Sequence, residues 1–280
     1  MTGNSVWGYS RSLLQSSHPI PSLVVASLTT SFAWAAGLGW WQVVVVFVAM
    51  VTNQFGIGLG NDWIDADRDM RSGRGDKPVA AGIIPAATVR NTAIVLGTVA
   101  LGASALLGPW PLLCQAVMLG AGWWYNLHAK SHWSSPLSYL VGFGLLPVFP
   151  LLALTPPHLP AGWIIAVAGL LGIAAHFANA LPDLDEDKNT GIRGLPQLLG
   201  PRLSGVLTIV TVSVAAALIG LLGEGLPIWV RVLAGALAIG TASVAGVLAF
   251  YPRPPRIIFP LVMVSAAICT LAIVLHIRLT

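Results

Sequence analysis

Two stretches decide how this chain is read: Asn61-Asp62-Trp63-Ile64-Asp65-Ala66-Asp67-Arg68-Asp69-Met70-Arg71-Ser72-Gly73 and Asn179-Ala180-Leu181-Pro182-Asp183-Leu184-Asp185-Glu186-Asp187-Lys188-Asn189-Thr190-Gly191. They share Asn, three Asp and Gly at a constant offset of 118 positions, and each carries N-x3-D-x3-D. With Asp76 they hold nine of the ten carboxylates of the 280-residue chain; the tenth is Glu224. Acid scattered for solubility would not cluster in this way. Asp, Asn and Gly also stop helices and start turns, but a helix stop does not require three acids at matching spacing.

The surrounding sequence is apolar. Charged residues are 9% of the total against a usual quarter or so, hydrophobic residues are 56%, and mean hydropathy is +0.81. A water-soluble globule is excluded. Charge-free stretches run 12–61, 91–129, 131–182, 203–223, 232–252 and 257–277. At about 20 residues per crossing the first three hold two helices each and the last three one each. The expected fold is therefore an all-α bundle of nine transmembrane helices at about 21–39, 42–60, 91–108, 111–127, 137–154, 162–180, 204–222, 229–250 and 257–277, forming one integral-membrane domain over residues 1–280. Gly39-Trp40-Trp41, Gly108-Pro109 and Thr155-Pro156-Pro157 divide the paired spans. The runs lack the alternation of barrel strands.

In this nine-helix reading twelve basic residues fall on one side, and only Arg231 and Arg278 fall on the other. The positive-inside rule places the N-terminus and both acidic segments in the cytoplasm. The net charge of +4 then follows from topology and needs no nucleic acid. Arg11 precedes a long apolar stretch with no polar mature segment after it, so the first span reads as retained rather than as a signal peptide. Cys114 and Cys269 lie 155 positions apart inside apolar spans and read as packing residues. A weaker echo, Tyr125 before Lys130 and Tyr251 before Arg256, extends the acidic repeat into a four-helix unit used twice.

On a helix, residues i, i+4 and i+8 share a face. Asn61, Asp65 and Asp69 then project together from an extension of the second span, and Asn179, Asp183 and Asp187 from the sixth. Carboxylates converging at a membrane boundary repel one another unless cations neutralise them. Hard oxygen donors beside a phosphorylated ligand make Mg2+ the default metal. The six histidines are dispersed and read as packing or interfacial residues, so zinc is not indicated. Arg68, Arg71, Arg74, Lys77, Lys130, Lys188 and Arg193 surround the acids. A mouth rich in both signs on an apolar bundle suits a ligand with a polyanionic head and an apolar tail, such as an isoprenyl diphosphate; Lys77, next to Pro78, is the loop cation given most weight.

These residues resemble the UbiA-type superfamily of intramembrane prenyltransferases. The resemblance covers nearly the whole chain: N-D-x2-D-x3-D after the second span, Tyr125-Asn126-Leu127-x2-Lys130 after the fourth, and D-x3-D after the sixth. It implies that Asn61, Asp65, Asp69, Asp183 and Asp187 hold Mg2+ bound to the diphosphate of an isoprenyl diphosphate. It implies further that Arg71, Lys77, Tyr125 and Lys130 contact that diphosphate, with the four Asp residues essential to catalysis. The tail Thr190-Gly191-Ile192-Arg193-Gly194-Leu195-Pro196 is similar to the family's second motif, with Gly194 where Thr is common. The basic residues after Asp69 are shifted by one position from the usual pattern.

The implied reaction ionises the diphosphate ester by electrostatic stabilisation, while the bundle shields the cation from water. Most of the eleven tryptophans lie near span ends as belt residues, and Trp63 and Tyr125 are the aromatics closest to the acidic motifs. Two outcomes stay open at this point: transfer of the prenyl group to a lipophilic aromatic or quinone-type acceptor, or capture of the cation by its own chain in a terpene cyclase. A coupled transporter is disfavoured because the span interiors contain no Asp or Glu. A CDP-alcohol phosphotransferase is disfavoured because its Asp-Gly motif is missing.

Overall fold

The computed structural model describes residues 6–279 except Arg74 and Asp76, so those two sequence candidates lie outside the described residues. All regular structure among the described residues is helical: α1 (Val6–Ser16), α2 (Pro19–Ala35), α3 (Trp40–Arg71), α4 (Ala86–Leu106), α5 (Pro109–Leu127), α6 (Ser135–Gly144), α7 (Val148–Leu151), α8 (Gly162–Ala180), α9 (Leu184–Asn189), α10 (Leu195–Leu222), α11 (Ile228–Leu248) and α12 (Ile258–Leu279), with single 3-10 turns at Ala129–Ser131 and Leu181–Asp183.

Local chemistry sets the boundaries. α3 opens with Gln42 Oε1 accepting the Gly39 N–H at 2.9 Å, which satisfies one orphan donor of the first turn. Pro109 begins α5, where its missing N–H costs nothing. Pro182 ends α8 and forces a 3-10 turn before α9. Gly200 (φ 79°) with Pro201 kinks α10.

Each of the nine expected segments is helical over much of its length. Among the described residues six helical stretches are long and apolar enough to cross a membrane: α3, α4, α8 continued through α9, α10, α11 and α12. α2 and the stretch from Ser135 to Leu151 are apolar but shorter. The expected single span at 137–154 is instead broken at Leu145–Pro147 into α6 and α7.

The helices form a ring. α2 packs on α3, α3 on α4 and α5, α5 on α6, α6 on α8, α8 on α10 and α12, and α10 on α11, which reaches α12. α12 then returns to α2. At that closure the Arg278 guanidinium lies 3.9 Å from the centre of the Trp34 ring and also donates to the Trp34 carbonyl. Large side chains such as Leu221, Trp229, Val232, Leu271 and Val247 point outward, whereas α8 is buried over most of its length. Small residues let backbones approach: a Cβ on Gly205 would lie 2.7 Å from the Gly246 carbonyl oxygen, and one on Gly246 would lie 2.9 Å from that of Gly205, so α10 and α11 meet glycine to glycine.

Candidate active site

The ring encloses a cavity of about 340 Å³, polar where the acidic segments meet it and lined elsewhere by Val25, Ile57, Met118, Phe143 and Leu146. Because α3 continues unbroken to Arg71, Asn61, Asp65 and Asp69 keep one face and all three line this cavity. Asp65 and Asp69 are each only 3% exposed.

The second acidic segment departs from the expected continuous helix, because Pro182 interrupts it. The result still serves the same end: Asn179 on α8, Asp183 on the 3-10 turn and Glu186 and Asp187 on α9 all line the cavity, and Asp185 is exposed. Asn61, Asp65, Asp69, Asp183 and Asp187 are thus brought together from two separate parts of the chain.

Three cations neutralise this end. Arg68 Nη2 lies 2.7 Å from Asp65, and Lys130 pairs with the same carboxylate. Lys77 Nζ reaches back to Asp69 at 2.8 Å and to Asp62 at 3.2 Å. Burial works against the Lys77 charge, but Asp62, Asp69 and Asp65 outweigh it and hold its pKa above the ordinary lysine value. At Lys130 burial dominates, and despite Asp65 it brings the pKa below the ordinary value, helped by Arg68 and Lys77.

Asp62 does not line the cavity; it sits 2% exposed behind Lys77, 3.5 Å from His18 Nε2. Asn61 donates to Asn126 Oδ1 at 3.3 Å, and Asn126 donates to the Ile57 carbonyl at 2.9 Å. That chain orients the Asn61 side chain through one of its two amide protons, and its carbonyl oxygen is of the kind that ligates a hard cation. Tyr125 lines the cavity edge-on to Tyr139 at 5.1 Å. A Cβ on Gly194 would fall 2.6 Å from the Lys130 carbonyl oxygen, so glycine here lets the start of α10 lie against the Lys130 turn.

Other sequence candidates are not assembled. Arg71, expected at the diphosphate, is exposed and does not line the cavity, whereas Arg68 does. Lys188 and Arg193 are exposed. Trp63 packs edge-on against Trp123 at 6.4 Å, with Arg90 5.9 Å from its ring centre, and does not line the cavity. Tyr251 and Arg256 are likewise exposed and outside it, so the second echo brings nothing to the site. His18 and His176, expected to be packing or interfacial residues, line the cavity, as do Tyr139 and Gln197, which no motif marks.

Comparison with known proteins bears on this arrangement. The model of the UbiA prenyltransferase family matches residues 22–258. The chain belongs to the UbiA prenyltransferase family.

Among its UbiA relatives, the bacteriochlorophyll synthase 33 kDa chain of Cereibacter sphaeroides is 28% identical over 166 residues, which are 57% of this chain and 55% of that one. The match thus spans about half the length of that relative. The 4-hydroxybenzoate octaprenyltransferase of Cupriavidus necator is 28% identical over 243 residues, covering 81% of this chain and 83% of its own. A UbiA homolog from Archaeoglobus fulgidus, solved bound to DMAPP and Mg2+, superposes with a TM-score of 0.72 over 96% of this chain and 99% of its own at 15% identity, which establishes a shared fold.

The donor set of this UbiA chain fits a hard divalent cation in kind, being carboxylates and an amide oxygen with no sulfur or imidazole among the metal candidates. As the side chains stand, no three His, Cys, Asp or Glu groups among the described residues are close enough to share one ion. Asp65 and Asp69 are engaged by Arg68, Lys130 and Lys77, and Asp187 by Gln197.

Proposed function

We propose that this chain is a Mg2+-dependent intramembrane prenyltransferase that ionises an isoprenyl diphosphate and passes the prenyl group to a lipophilic aromatic or quinone-type acceptor. One observation carries the reading: two acidic segments 118 positions apart, with three half-buried cations, meet at one end of a cavity whose remainder is lined largely by apolar side chains with a few polar ones among them. A polyanionic head and a hydrocarbon tail match those two ends. Family membership supports the reaction class, and the names of the two relatives support a ring-bearing acceptor.

In this reading Asn61, Asp65, Asp69, Asp183 and Asp187 hold the metal, and Arg68, Lys77, Lys130 and Tyr125 receive the diphosphate. Mg2+, when bound, would offset the negative charge that builds on the leaving diphosphate. Arg68 and Lys77 add fixed positive charge in a water-poor setting, where it acts more strongly than in bulk water. Asp62 positions Lys77 rather than touching substrate. Phe143, Met118 and Leu146 exclude water from the allylic cation.

The nine-crossing topology, the N-terminus in the cytoplasm, the site opening on the cytoplasmic side of a cell membrane, and a single domain over 1–280 belong to the same proposal. They rest on the twelve-to-two division of basic residues and the helical segments at the expected positions. The internal repeat, in this reading, reduces to the paired acidic motifs.

The test uses purified protein in detergent with Mg2+ and geranyl, farnesyl or geranylgeranyl diphosphate, with and without acceptor, and the Asp65→Ala protein as blank. Diphosphate release that requires an aromatic acceptor supports the transferase. A cyclic hydrocarbon or alcohol formed without acceptor would replace it by a terpene cyclase built on the same site.

A further inference from the structure

His176 lies on α8 seven residues before Asp183, which sets it about 10 Å below the acidic end at 1.5 Å per residue. It is 2% exposed and lines the cavity, with its ring centre 4.8 Å from that of Tyr139 and 5.7 Å from those of Tyr125 and Phe177. Its Nε2 is 2.9 Å from Ser135 Oγ. That same Oγ accepts the Leu195 N–H at 3.1 Å. Ser135 is fully buried, and His176 Nε2 is the acceptor within reach of its hydroxyl hydrogen among the described residues; with that hydrogen donated to Nε2, the imidazole proton sits on Nδ1.

Nδ1 has no hydrogen-bond partner among the described residues. Two other groups on the same cavity wall share this condition: Asn53 on α3, at both its amide nitrogen and oxygen, and Ser138 Oγ on α6. Buried polar atoms are almost always satisfied, so three such side chains from three helices around one cavity call for a ligand that satisfies them. A hydrocarbon tail offers them nothing. A carbonyl, carboxyl or hydroxyl oxygen does.

We infer that His176 donates its Nδ1–H to an oxygen of the second substrate, making it a specificity-determining residue for the acceptor. Ser135 is the positioning residue that fixes the tautomer. A neutral donor of this kind orients the acceptor and does not remove its proton. The inference rests on the transferase reading above and assigns a residue to its acceptor.

The test compares wild type with His176→Phe, His176→Asn and Ser135→Ala in Mg2+ and farnesyl diphosphate. The acceptors are 4-hydroxybenzoate, a dihydroxynaphthoate and a tetrapyrrole propionic acid, and Mg2+-dependent binding of farnesyl diphosphate is measured separately. His176→Phe is expected to raise acceptor KM about tenfold while farnesyl diphosphate affinity stays within about twofold of wild type, the range one hydrogen bond spans. His176→Asn carries an amide N–H close to the position of Nδ1 and is expected to recover most of that loss. Should His176→Phe fail to fold, the Ser135→Ala protein supplies the readout, with a smaller rise in acceptor KM of about threefold.

Unchanged acceptor KM in His176→Phe, or in Ser135→Ala where that protein is the readout, overturns the inference. So does a wild type that binds farnesyl diphosphate and converts it to a hydrocarbon without acceptor, an outcome that leaves the metal–diphosphate site standing. Wild type that shows no Mg2+-dependent binding of farnesyl diphosphate overturns the underlying reading as well, and is told apart from the other outcomes by the binding measurement alone.

Discussion

Gln197, in the first turn of α10, donates from Nε2 to Asp187 Oδ2 at 2.7 Å. This bond joins the second acidic segment to the next long helix and fixes the orientation of a carboxylate on a helix of only six residues. Partners of this kind typically change metal affinity 10- to 100-fold when removed. Gln197→Met is therefore expected to raise the Mg2+ concentration for half-maximal turnover about tenfold, with little change at saturating Mg2+. A Mg2+ titration of diphosphate release checks this; an unshifted midpoint would exclude Asp187 from the metal site.

Asp65→Ala and Asp183→Ala come from different segments but face one cavity, and each is expected to cut turnover at least about a hundredfold while helix content by circular dichroism stays at the wild-type level. EDTA should do the same to wild type, reversed by added Mg2+. Turnover retained in either variant would mean that the two segments do not act as one centre.

Arg68, Lys77 and Arg71 separate by position. Arg68→Met and Lys77→Met are expected to raise KM for the isoprenyl diphosphate tenfold or more, since a hydrogen bond to a charged group is worth roughly 1.5–3 kcal/mol. Arg71→Met should stay within about twofold, because Arg71 is exposed outside the cavity. Initial-rate kinetics on the three proteins settles it, and a large effect at Arg71 would restore the contact expected from the sequence.

Gly205 and Gly246 test the packing apart from the chemistry. A Cβ on Gly205 would also come within 2.6 Å of Ala249 Cβ. Gly205→Ala should destabilise the bundle by about 1–3 kcal/mol through overpacking, read as a lower melting temperature in detergent. Turnover per folded molecule should be unchanged.

Much of this arrangement was legible in the residues and some was not, for definite reasons. The face carrying Asn61, Asp65 and Asp69 follows from the 3.6-residue period alone once α3 is allowed to run past the membrane boundary. The same period separates Arg68 from Arg71: residue 68 lies about 60° around the helix from Asp65 and residue 71 about 120°, at 100° per residue. Motif likeness points to Arg71, and periodicity points to Arg68.

In the second segment Pro182 was visible, but its effect, a 3-10 turn that still delivers Asp183 and Asp187 to the cavity, depends on α10 holding α9 in place. His176 is a lone histidine in an apolar run, and its only signal was its place two turns before Asp183. Tyr251 and Arg256 failed in the opposite sense. An even number of crossings returns a residue to the same side of the membrane, but it does not fix the rotation of its helix toward the cavity.

The contact between Trp34 and Arg278 joins positions 244 residues apart in sequence. Every other neighbour pair in the ring that involves α2 is with a helix nearer in the chain, so α12 is the last piece of the wall to become available. During synthesis, which proceeds from the N-terminal end, both acidic segments are in place before α12 can dock and seal the hydrocarbon side. In the proposed reaction an allylic cation formed before that moment would meet lipid or water, so a protein lacking α12 would hold both acidic segments but not the wall that protects their product.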